Sequence, residues 1–177
     1  SLSEGDFILG VLVLSNFGKM RNLTVDGGVV GRQLDHEFPR EGRRDASEGS
    51  IIVVVATDVP LISRQLHLVS KRAALGLGRT GSYAASSSGE IIIAFSTGNR
   101  TPRPTRHSDH FLNLKCISEY HINAVYEAVI EATEEAVLNA MFCSSGMSGR
   151  EQRWCPPIPH ERVVELLNSG RKIRESH

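Results

Sequence analysis

Apolar residues occur along this chain in two patterns, short unbroken runs and longer stretches at helical spacing. Phe7 to Leu14 is a run interrupted only by Gly10, and it predicts a buried strand. Leu23-Thr24-Val25 and Val29-Val30 flank Asp26-Gly27-Gly28, which predicts a hairpin because such a turn needs positive φ. Ser50 to Thr57 carries Ile51 to Ala56 without alternation, the pattern of a strand buried on both faces. Asp58 as cap and Pro60 in the first turn then start a helix, where a missing N–H costs nothing. Ile62, Leu66, Val69 and Ala73 follow at helical spacing, and Gly76 and Gly78 are expected to end it. Glu90 leads into a strand over Ile91 to Ser96. Glu119 to Cys143 predicts a long helix with Ile122, Tyr126, Val129, Thr133 and Val137 on one face. A last helix, His160 to Asn168, presents Val163, Leu166 and Leu167, with Gly170 suited to its C-cap. Four strands and three helices in mixed order predict an α/β layered domain.

The polar stretches are as informative. Asp35 to Gly49 holds Pro39, glycine and many charges without an apolar period, so it reads as an exposed linker. Ser82 to Gly89 is a small polar loop, and Arg150 to Pro159 a proline-rich connector. The linker ends in Gly49-Ser50, and the apolar strand begins at that serine. If the bond before Ser50 is cut, one residue carries both a hydroxyl nucleophile and a free α-amine. That is the arrangement of an N-terminal-nucleophile hydrolase, in which the neutral amine takes the hydroxyl proton. The amine suits the task because its reference pKa is about 7.7–8.0.

Composition narrows the classes. A chain of 177 residues, 40% hydrophobic, can bury one core. Net charge is zero, with 20 basic and 20 acidic residues, so no nucleic-acid footprint is indicated. Arg40, Arg43 and Arg44 are interleaved with Glu37, Glu41, Asp45 and Glu48, as in a solvated loop. No apolar run approaches the ~20 residues of a membrane span, and Ser1 to Asp6 is too acidic to read as a signal peptide. Cys116, Cys143 and Cys155 make an odd count with no C-x-x-C pair, which argues against a disulfide framework. This favours a reducing, cytoplasmic setting, with a periplasmic one left open. Cys143 lies on an apolar helical stretch, where buried free cysteine is common. His107, Asp109 and His110 are ligand types, but no further cluster has zinc-like spacing, so no metal is expected. There is no phosphate-cradling glycine fingerprint, and no cofactor is expected.

Five pieces carry a family resemblance: Ser15-Asn16-Phe17-Gly18, Gly49-Ser50 through Asp58, Leu77-Gly78-Arg79-Thr80-Gly81-Ser82, Ser88-Gly89-Glu90-Ile91 and Ser96-Thr97-Gly98-Asn99. In order and spacing the chain resembles the L-aminopeptidase/D-esterase family, which includes the β-peptidyl aminopeptidases. The resemblance runs from Gly10 to the end, and the chain looks like the C-terminal part of such a protein. It implies a four-layer αββα sandwich similar to N-terminal-nucleophile hydrolases, with different strand connectivity. It implies a precursor that cuts itself between glycine and serine, here Gly49 and Ser50. Residues 1–49 would then be the end of a first (α) subunit and 50–177 a second (β) subunit, together one structural domain. The implied partners are the missing N-terminal part of the α subunit and further copies, as a tetramer of α/β heterodimers.

By the same resemblance Ser50 is the nucleophile, Asn16 the oxyanion-hole donor, and Ser88 and Glu90 the pair that orients the nucleophile and its amine. The residue types suit those tasks. An amide N–H₂ bonds an oxyanion without losing a proton, and a carboxylate favours a nearby ammonium. Gly49, lacking a Cβ, can take the strained backbone that self-cleavage asks for. The expected activity is that of a serine aminopeptidase or amidase on short peptides, amino-acid amides or esters, through an acyl-enzyme. Two other readings stay open, acyl transfer of the ornithine acetyltransferase kind, where the nucleophile is normally threonine, and an uncut, non-catalytic scaffold domain. Asn16 could equally cap a turn, Ser86 to Ser88 form a flexible loop, and Glu90 be a solvated strand entry.

Overall fold

The computed structural model describes residues 6–38, 49–101, 111–152 and 154–175. Strand β1 (Leu9–Asn16) is followed by a short 3-10 turn, Met20–Asn22, and the hairpin β2 (Thr24–Val25) and β3 (Gly28–Val29). Asp26 and Gly27 both have positive φ, 47° and 69°, so the hairpin turn is the kind its sequence predicts. Helix α1 (Gly31–Glu37) comes next, then β4 (Gly49–Thr57), α2 (Ser63–Arg79), β5 (Ser88–Ser96) and α3 (Ile122–Phe142). A small hairpin, β6 (Met147–Ser148) with β7 (Trp154–Cys155), precedes the last helix, α4 (His160–Glu175).

The main sheet has the order β1-β4-β5, with β1 antiparallel and β5 parallel to β4. The β4–α2–β5 crossover makes the parallel pair possible. Helices α2 and α3 cover one face, where Ile51, Val53 and Val55 are fully buried with Val69, Ala73 and Val129. The architecture is therefore α/β, as expected, and among the described residues it has two layers, the β1-β4-β5 sheet and the helices over one of its faces.

The other face of the sheet is open. Strand β1 was expected to be buried and β4 to be buried on both sides, but the burial of both alternates. Leu12 and Leu14 are 71% and 70% exposed, Ile91 and Ile93 56% and 53%. The register stacks these side chains into cross-strand rows, Leu14–Ile52–Ile91 and Leu12–Val54–Ile93. Nothing among the described residues packs over them as α2 and α3 pack over the opposite face.

Other expectations change at element ends. Asp58 does not cap a helix; its Oδ1 accepts the Ile8 amide at 2.7 Å. Helix α2 starts later, where Gln65 Oε1 accepts the Ile62 N–H at 3.3 Å. It also runs through Gly76 to Arg79, because Gly76 is a contact point with α3. A Cβ there would stand 2.5 Å from the Ile130 carbonyl oxygen and 2.7 Å from Thr133 Cβ. Helix α4 likewise continues past Gly170, whose surroundings are open, since a glycine weakens a helix without ending it. Asp35 to Phe38 belong to α1 and its C-cap instead of a linker, because Val30 and Leu34 anchor that turn in a second apolar cluster. Cys143 is exposed at the C-cap of α3, not buried. Residues 39–48 of the expected linker lie outside the described residues. No helix among those described is long and apolar enough to cross a membrane.

Candidate functional site

Strand alternation sorts the residues singled out from sequence onto opposite faces of the sheet. Ser50 is the register partner of Asn16 on one side and Gly89 on the other. These three form the last cross-strand row of the open face, at the rim of its apolar rows. Directly opposed residues of an antiparallel pair hold their Cβ atoms about 4.5–5.5 Å apart, so the Ser50 and Asn16 side chains leave the sheet side by side on one face. Both residues are exposed. The Gly89 N–H donates to Ser50 Oγ at 3.4 Å.

Gly49 is required for a reason other than the one expected. It lies in regular strand, and among the described residues the glycines with positive φ are Gly18, Gly27, Gly81 and Gly146. The constraint is space: a Cβ on Gly49 would come 2.6 Å from the Asn16 carbonyl oxygen and 2.9 Å from Phe17 Cα. The end of β1 therefore presses directly on the residue before Ser50.

Ser88 and Glu90 occupy the helix-side face, as register partners of Gly49 and Ile51. Ser88 Oγ donates to Glu90 Oε1 at 2.8 Å, and the Ser88 N–H to the Ala85 carbonyl at 2.8 Å. Both residues are half-buried, so Glu90 is a paired carboxylate and not merely a solvated strand entry. The structure thus presents two pairs about the Gly49–Ser50 bond. Ser50 with Asn16 stands on the open face, and Ser88 with Glu90 stands beside Gly49 on the other.

A cleft opens next to this bond, lined by Phe17, Gly18, Lys19, Gly49, Ser82, Tyr83, Ala85 and Ser88. Its walls are two tight turns. Gly18 turns the chain after β1 with φ +84°, and Gly81, with φ +100°, fits beneath Asn22, where a Cβ would meet the carbonyl oxygen at 1.9 Å. Thr80 Oγ1 donates to the Leu77 carbonyl at 2.9 Å and closes the end of α2. Lys19, Tyr83 and Ala85 were not singled out from sequence. Their one signal is position, directly after Ser15-Asn16-Phe17-Gly18 and Leu77 to Ser82.

Among the described residues there is no group of three or more His, Cys, Asp or Glu side chains able to hold a metal. His107, Asp109 and His110 lie outside those residues.

Comparison with known proteins follows the same lines. The model of peptidase family S58 matches residues 1–155. The chain is 32% identical over 179 residues to the beta-peptidyl aminopeptidase BapA of Sphingosinicella xenopeptidilytica, covering 95% of this chain and 44% of the relative. Its fold is similar to that of the PH0078 protein from Pyrococcus horikoshii OT3, with a TM-score of 0.83, 36% identity, and coverage of 96% of this chain and 44% of the other. The L-aminopeptidase D-Ala-esterase/amidase from Ochrobactrum anthropi is also similar, with a TM-score of 0.79, 37% identity, and coverage of 92% and 44%. That structure is described as a new variant among the Ntn hydrolase fold. The chain spans less than half the length of each of these relatives.

Proposed function

The chain belongs to peptidase family S58, and from that premise we propose that it is the C-terminal part of a self-processing serine aminopeptidase or amidase. The observation that carries the reading is the Asn16–Ser50–Gly89 row at the rim of an uncovered apolar sheet face, with glycine compulsory at position 49.

In the first step Ser50 Oγ attacks the Gly49 carbonyl carbon. The C–O bond forms, the C–N bond breaks, and the hydroxyl proton ends on the new Ser50 amine. Water then hydrolyses the ester, leaving residues 1–49 with a carboxylate end and residues 50–177 with a free amino terminus. Departure of Gly49 frees the space it shares with Phe17, Lys19 and Ser88. The new amine then lies beside the Ser88–Glu90 pair, whose carboxylate favours an ammonium.

In turnover the neutral Ser50 amine accepts the hydroxyl proton while Oγ bonds to the carbonyl carbon of an N-terminal residue. The Asn16 amide donates to the resulting oxyanion. Collapse expels the leaving amine, which takes the proton from the Ser50 ammonium. Water attacks the acyl-serine and restores the hydroxyl. Short peptides, amino-acid amides and esters are the proposed substrates. The segment missing from this chain would cover the open rows Leu14–Ile52–Ile91 and Leu12–Val54–Ile93 and supply the other layers, in a tetramer of α/β heterodimers.

The test uses the full-length protein. Intact-mass measurement should find two species meeting at Gly49/Ser50, and p-nitroaniline release from amino-acid anilides should accompany them. Ser50→Ala should leave a single uncut species and reduce anilide hydrolysis by at least ~10³-fold. Hydrolysis surviving that substitution would refute the assignment.

A further inference from the structure

We propose that helix α4 is a latch: it holds the end of the segment ahead of the Gly49–Ser50 bond, the β2–β3 hairpin and α1, onto the segment that follows it. Its biological use rests on the reading of that bond as the cut site. A cut removes the tether at residue 49, and free chain ends lose order unless something ties them down. Strand β1 is tied by its pairing with β4, from Leu9↔Thr57 to Asn16↔Ser50. Residues 17–38 lie beyond that pairing and need an anchor of their own.

The second apolar cluster supplies such an anchor, because it straddles the bond, alongside the Thr24 N–H donated to the Thr80 carbonyl at 3.2 Å and the close Asn22–Gly81 approach. Val25, Val30 and Leu34 come from ahead of residue 49, and they are buried with Val163 from α4. Leu166 and Leu167 of the same helix pack against this group, as do Phe38, Ile158 and, from α3, Leu138 and Phe142. The approach is close at the hairpin, where a Cβ on Gly28 would come 2.5 Å from Leu167 Cδ2.

A polar fork closes the rim. Arg162 Nε donates to Glu37 Oε2 at 2.9 Å and Oε1 at 3.2 Å, and Nη2 also donates to Oε1. Nη1 donates to Glu165 Oε2 at 3.0 Å, so one guanidinium bridges both carboxylates. Glu37 is the last residue of α1, next to the last residue described before position 49. The Arg162 bond holds the Glu37 carboxyl below the usual carboxylate range, so the pair stays charged through neutral pH. An exposed ion pair adds little energy alone; its planar geometry here fixes where α1 ends on α4. The helix begins at His160, beyond the β6–β7 hairpin.

The test is made on full-length protein carrying Ser50→Ala and a foreign protease site within residues 39–48, so that self-cleavage plays no part. After cutting, hydrogen exchange of residues 23–38 is followed by mass spectrometry. The latch requires exchange as slow in the cut parent as in the uncut one. Arg162→Glu should speed it about fivefold or more in the cut form, since attraction becomes repulsion. Adding Glu37→Arg should restore protection. Loss of protection in the cut parent, or exchange unmoved by Arg162→Glu, overturns the proposal; should that variant misfold, Arg162→Gln is read in the same way. Failure of the cut-site reading shows separately, as a single uncut mass in protein with Ser50 intact.

Discussion

The two faces of the β1-β4-β5 sheet carry the same kind of side chain and differ only in what covers them. On the helix side Ile51, Val53 and Val55 are fully buried under α2 and α3. On the other side Leu12, Leu14, Ile91, Ile93 and Phe95 are exposed. Strand β4 contributes to both faces from one uninterrupted apolar run, the pattern of a strand enclosed from two sides. A contiguous exposed patch of this kind marks an interaction surface, whereas single apolar residues at a surface mark nothing. The candidate nucleophile sits at the rim of the uncovered face, so the chemistry proposed here belongs to the seam between this chain and whatever lies over it.

The sharpest way to break that placement is at Asn16. If its amide serves the oxyanion on the open face, Asn16→Ala in the full-length protein should lower kcat about 10²–10³-fold with little change in thermal midpoint. A kcat within a factor of about two of the parent would remove Asn16 from the reaction and leave it as the end of a strand.

The contrast in cover is next tested by truncating the same residue type on each side. Ile51 has no exposed surface, and Ile51→Ala should cost about 2–5 kcal/mol of unfolding free energy. A smaller step of the same kind is Gly76→Ala. The added Cβ meets Ile130 and Thr133 of α3, and overpacking at such a contact costs about 1–3 kcal/mol, against under ~1 kcal/mol regained from helix propensity. Urea titration distinguishes these from a neutral change, which would mean that α2 and α3 can slide apart freely.

Much of this was legible before the structure. Long runs with clear periods, Ser50 to Thr57, Ile91 to Ser96 and the helix through Val129, fall where their patterns place them, since burial of one face decides the element. The Asp26-Gly27 turn was legible because only residues tolerating positive φ fit it. Glycine elsewhere misled. Gly76 and Gly170 read as helix ends, but one is a helix–helix contact and the other an unobstructed position within α4. A glycine kept for space and one kept for φ look alike in sequence, and Gly49 shows the same ambiguity at the candidate site. Helix α1 was illegible because its apolar positions, Val30 and Leu34, acquire meaning only when α4 arrives from the far end of the chain. The cleft residues Lys19 and Tyr83 follow their motifs without belonging to any pattern, and only the folded turns bring them together.

The smallest effect is also the one that decides what the open face is. Ile93 is 53% exposed, the same residue type as Ile51 on the same sheet. In the 177-residue chain alone, Ile93→Ser should change unfolding free energy by no more than about 0.5 kcal/mol, as for other surface substitutions. In the full-length protein the same substitution should cost several times more, because a serine hydroxyl would then be buried without a partner and an apolar side chain lost from a closed core. The two thermal shifts, measured side by side, read the cover directly. Equal and small shifts in both proteins would make this face true surface, and the seam proposed beside Ser50 would then be open to water.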